Sequence, residues 1–122
     1  MRNYEFLKCG ETLSGKDKYR YSQGAENVKL KEVAGEKITV KNYAIMAQKN
    51  VDDETGEVTE EKILLAIEDT DGKIYVTNSP TAREAFTNII SFLADDNVST
   101  GFEIGVVIGK SKSDREFVTV TL

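Results

Sequence analysis

The chain is predicted to be all-β with one helix, a small five-stranded barrel carrying an N-terminal β extension. Three observations predict this. From residue 38 the apolar periods run strand, strand, strand, helix, strand, strand. The first strand is long, and one segment alone shows helical spacing. That order is the order of an OB-fold, with nothing to suggest a parallel sheet or a repeat. Residues 1–37 form an extension packed on or beside the barrel, residues 38–122 form the OB-fold itself, and the whole is one domain.

The elements follow in order. In the extension, "GKDKYRYSQG" alternates Tyr19 and Tyr21 with Lys18 and Arg20 between two glycines, which suggests a strand or an arm. Residues 38–48 alternate as a strand, with Ile38, Val40, Ala44 and Met46 on one face and Lys41, Tyr43 and Ile45 on the other. Residues 50–61 read as a long acidic loop around Gly56. "KILLAIE" (62–68) is a strand, "DTDG" (69–72) a hairpin turn, and "KIYVT" the returning strand. Ile74 and Val76 of that strand point to the core, leaving Lys73, Tyr75 and Thr77 on the wet side.

The period then changes. Ser79 with Pro80, or Thr81 with Glu84, can start a helix. Ala82, Ala85, Phe86, Ile89, Ile90 and Leu93 make its apolar stripe, as a core helix requires. Two strands close the chain, 101–109 and 116–122, joined by the basic loop "GKSKSDR".

Composition excludes several functions. Histidine is absent and Cys9 is the one cysteine, which removes His-based nucleophilic triads, a cysteine–histidine zinc site and an internal disulfide. The acidic stretches 52–57 and 68–73 do not place ligands at EF-hand positions, so no metal is expected, and no cofactor or catalytic group either. The first thirteen residues lack the apolar run of a signal peptide, and a cytoplasmic protein is expected. Net charge is −5, but it is unevenly spread. Residues 1–49 hold ten Lys/Arg against six Asp/Glu, whereas residues 50–71 hold one against nine. Local field matters more to a polyanion than the total.

Aromatic rings interleaved with cations suit single-stranded nucleic acid, since rings stack on any base and cations neutralise phosphates. The candidates are Lys41 and Tyr43 on the first barrel strand, Lys73 and Tyr75 on the third, and Phe117 on the last. The extension adds Lys18, Tyr19, Arg20 and Tyr21, and the last hairpin adds Lys110, Lys112 and Arg115. Tyr75 is read as a stacking ring, and Tyr19 and Tyr21, set among glycines and charges with little core to join, are the strongest candidates among the rings. A protein–protein adaptor or structural module on the same barrel is the competing reading, and it should show an apolar patch without clustered cations. Nothing in the residues separates DNA from RNA.

Several segments are similar in order to one family. "ETLSGK", "YRYSQG", "GEKITVKNYAI", "DGKIYVTNSPTAREA" and "KSDREFVTVTL" resemble the single-stranded DNA-binding proteins of small tailed phages that replicate linear genomes with a protein primer. The resemblance implies an OB-fold protein of the infected bacterial cell that coats displaced strands during DNA replication. It implies no sequence preference, no enzymatic activity, replication proteins as further partners, and tyrosines, Tyr75 first, as the stackers.

Overall fold

The computed structural model describes residues 2–23 and 27–122. Gly24, the second glycine bounding the tyrosine pair, lies outside the described residues. Strands β3 (Lys37–Val51), β4 (Val58–Asp69) and β5 (Ile74–Thr77) form an antiparallel meander. Helix α2 (Pro80–Ala94) follows, then the hairpin β6 (Glu103–Lys110) and β7 (Glu116–Thr121), with β6 pairing back to the start of β3. This is the OB order, curled into a half-barrel. Strands β5 and β7 do not pair: a two-residue strand, β2 (Val28–Lys29), takes the outer edge of β5, β2 does not pair with β7 either, and the barrel is left with an open seam there. Ser79 Oγ donates to the Val118 carbonyl at 3.1 Å, a direct link across that seam.

The extension supplies more than strands. β1 (Arg2–Cys9) pairs with the far half of β3, and β2 (Val28–Lys29) runs parallel to β5. Between them lies a second helix, α1 (Gly15–Ser22), where a strand or arm was expected. Ser14 caps it, accepting from the Asp17 amide at 3.1 Å, and Asp17 stands in the first turn where the helix dipole favours it. Tyr19 and Tyr21 are two residues apart. On a strand they would share a face, but on a helix they point apart, and Tyr21 is buried while Tyr19 is 66% exposed.

The sheet has two cores. On its concave face Tyr43, Ile67 and Tyr75 lie in register and pack with Phe86, Phe102, Ile104 and Val120. Helix α2 covers this face with Ala82, Phe86, Ile89 and Ile90, as its stripe predicted. On the convex face, Ala44, Met46, Ala66, Ile74 and Val76 pack with Leu13 and Tyr21.

The expected facing of β3 fails at one point. A bulge between Val40 and Asn42 shifts the register, so Ile38 and Val40 share the concave core with Tyr43 and Ile45, while Ala44 and Met46 face the other way. Asn42 holds the bulge: its Oδ1 accepts from the Glu11 and Tyr43 amides at 2.8 and 2.9 Å.

The acidic stretch is not a long loop. β3 and β4 stay paired out to Val51 and Val58, with β1 alongside, and only 52–57 turn. Lys49 faces Glu61, an opposite-charge pair of the kind that favours such pairing. The turn at 69–72 forms as expected, Gly72 taking φ +85° and the Asp69 carboxylate accepting from the Asp71 and Lys73 amides. Among the described residues, no helix is long and apolar enough to cross a membrane.

Candidate nucleic-acid interface

Three of the proposed stacking rings are core residues. Tyr75 is 8% exposed and its hydroxyl donates to Asp69 Oδ2 at 2.9 Å. Burial and that carboxylate push its phenol up to about 12. Tyr43 is 2% exposed and meets Phe86 edge-on, with ring centroids 5.0 Å apart. Tyr21 is fully buried under α1, and its hydroxyl donates to Glu68 Oε1 at 2.9 Å. Burial, then the Glu68 hydrogen bond, raises its phenol strongly. In these positions none of the three can lie against a base. The expectation for Tyr75 fails because its strand is covered on both faces, so alternation does not mark a wet side there.

Arg20 is also committed elsewhere. Its guanidinium donates to Glu68 Oε2 at 2.8 Å, to Asp17 Oδ1 at 3.1 Å and to the Gly72 carbonyl at 3.1 Å. It clamps α1 to the β4–β5 turn, and the hydrogen bond to Glu68 raises its pKa.

The cations that do converge come from elsewhere. A groove of about 700 Å³ opens on the convex face at the far end of β5. Its floor is Leu64 and Val76, and Arg2, Lys29, Lys31 and Lys62 line it. Gln48, Asn78 and Ser79 add polar groups, and Glu116 is the one carboxylate among the lining residues. Phe117 stands at the β7 wall. The alternation of β7 sends Val118 and Val120 to the core and Phe117 outward, where it is half-buried. Its ring lies across Gly109: a Cβ there would sit 2.6 Å from Phe117 Cζ and 2.7 Å from Cε2. Glycine therefore leaves room for the far end of the ring over β6, and the side chain stays half-buried.

Residues 9–122 match the family model described as phage single-stranded DNA-binding protein, of the phi29 type. The chain belongs to that family. No curated protein and no solved structure matches it. Membership assigns a single-stranded DNA-binding role in phage replication, with single-stranded DNA as the partner.

For a protein of this family the groove is well placed, because OB-folds bind oligonucleotides on the face of their second and third strands, here β4 and β5. Of the residues expected from sequence, Phe117 is in the groove. Lys110, Lys112 and Arg115 are exposed on the adjoining β6–β7 hairpin. Tyr19 and Lys73 are exposed and line a separate notch of about 290 Å³ at the near end of β5, beside Ile74. Lys18 is exposed, its ammonium 5.7 Å from the Phe6 ring centroid, and Lys41 is exposed at the bulge. Sequence reasoning missed Arg2, Lys29, Lys31 and Lys62. They are scattered over sixty residues, with no local motif, and only the pairing of β1, β2 and β4 gathers them.

The groove is not uniformly positive. Lys62 pairs with Glu60 at 3.2 Å, and Asn50 Nδ2 donates to the same carboxylate at 3.0 Å. The hydrogen bond from Lys62 lowers the Glu60 pKa.

Proposed function

We propose that the chain coats displaced single strands during phage DNA replication without sequence preference, and that the strand runs through the convex-face groove. One observation carries this reading: four cations and a half-buried phenylalanine line one groove of a chain whose net charge is −5. Arg2, Lys29, Lys31 and Lys62 face phosphates, and Phe117 stacks on a base. Stacking on a ring is blind to base identity, and the groove has no helix of the kind that reads a duplex. The protein acts by binding, with no reaction step, beside the replication proteins of the infected cell. An adaptor module on this barrel would call for an apolar patch without clustered cations, and the groove is cationic.

The test is a titration with oligo-dT and with duplex of equal length across a salt series. Single strands should bind more tightly than duplex. In the Lys29→Gln/Lys31→Gln variant the log–log salt slope should become shallower by about 1.4, at about 0.7 for each phosphate no longer neutralised. An unchanged slope and affinity in the folded variant would remove the groove from the interface.

A further inference from the structure

We propose that the groove continues across the sheet onto β1, where Tyr4 supplies a second stacking ring for the same DNA strand. This rests on the groove reading and extends it to a strand of which the family match, beginning at residue 9, includes only Cys9.

Register carries the argument. Tyr4 pairs with Gln48, and Gln48 pairs with Lys62, so the three stand in one row on the convex face. Gln48 and Lys62 line the groove, as does Arg2 at the end of β1. Neighbouring strands are about 4.8 Å apart, so the Tyr4 ring adjoins the groove wall. Phe6 forms the next row, with Met46 and Leu64, and Leu64 is groove floor. The two rings stand about 7 Å apart along β1, alternate residues on one face.

Both rings are half-buried, each keeping part of its surface in solvent. They lean on the convex core, which holds them in place. The opposite face of β1 buries none of its own residues, since Asn3, Glu5 and Leu7 are all exposed. Arg2 lies beyond Tyr4, as a polyanion requires, whereas Phe6 is already taken: the Lys18 ammonium lies over its ring, 5.7 Å from the centroid, and the ring packs on the convex core. A strand leaving the seam can therefore cross β5, β4 and β3 and end on the Tyr4 ring rather than on bare sheet.

The experiment uses the chain's own fluorescence. There is no tryptophan, and three of the five tyrosines are buried, leaving Tyr4 and Tyr19 to report contact with DNA. Tyr4→Phe should keep affinity within about twofold, because the ring remains, while losing part of the quenching by oligo-dT. Tyr4→Leu keeps an apolar side chain against the core but no ring. Its affinity should fall about five- to a hundredfold with the melting temperature held within a few degrees. Wild-type quenching in Tyr4→Phe, or wild-type affinity in a folded Tyr4→Leu, would overturn the proposal. If Tyr4→Leu does not fold, quenching in Tyr4→Phe decides alone. The Lys29→Gln/Lys31→Gln variant separates the two readings. Weak binding there with unaffected Tyr4 variants leaves the groove and removes its extension, whereas wild-type binding there removes the groove.

Discussion

The two ends of the convex face have the same backbone and opposite fates. Under α1 the face is dry: Ala44, Ala66 and Ile74 pack against Tyr21 and Leu13, and Arg20 and Tyr21 both bind Glu68. At the far end the same rows continue as Leu64, Gln48 and Lys62, and nothing covers them fully. What differs is a helix of eight residues. A sheet face becomes core where a neighbouring element excludes water and stays open to a ligand where none does, so cover decides what each end of the face can do.

Removing the cover gives the largest expected effect. Tyr21→Ala deletes a fully buried ring and a hydrogen bond to buried Glu68, and should cost about 3–5 kcal/mol of unfolding free energy in urea titration. A loss below about 1 kcal/mol would mean that α1 is not a true cover. Tyr21→Phe, which spares the packing and leaves Glu68 its Arg20 partner, should cost much less.

A smaller effect, confined to alkali, comes from the concave side. Tyr75 holds its proton to about 12 in the folded protein against 10.0 for an ordinary tyrosine. Between those values the unfolded chain has lost the proton and the folded one keeps it. The stability this contributes is present in full below pH 10 and lost as pH rises through 12. Melting temperatures of wild type should therefore drop more steeply over that window than those of Tyr75→Phe. Parallel curves would mean that the hydroxyl is not shielded. Neither Tyr75→Phe nor a folded Tyr75→Ala should change DNA affinity beyond what its stability explains.

The smallest effect belongs to the hairpin tip at 52–57, which lies beyond the open end of the face. Changing Asp52, Asp53 and Glu54 to Asn, Asn and Gln should leave oligo-dT affinity unchanged or raise it by less than about threefold, as carboxylates outside the groove repel phosphates only weakly at physiological salt. A collapse of binding with the circular dichroism intact would move the interface onto the tip.

Much of the architecture was legible. The barrel order, the "DTDG" turn and the stripe of α2 depend on local spacing and turn chemistry, which a sequence displays directly. The start of α1 was legible too, since Ser14 and Asp17 stand at capping-box spacing, but two tyrosines alternating with cations drew the reading to a strand. The bulge at Lys41 was not legible, because it depends on Asn42 capturing the Glu11 segment thirty-one residues away. The burial of Tyr75 was hidden for a related reason. Ile74, Tyr75 and Val76 form a continuous apolar run, and only the presence of α1 tells a doubly covered strand from one with a wet side. The groove cations were hardest, since their proximity is wholly a product of strand pairing.

The groove's place on the outer face of the sheet has a topological consequence. A closed ring admits a polymer only by an end, but the interior of this barrel is filled by side chains around Phe86 and has no room for one. A surface trough takes a polymer in sideways at any point along its length. If the DNA strand lies there as proposed, the protein is laid on and peeled off one nucleotide after another, without threading.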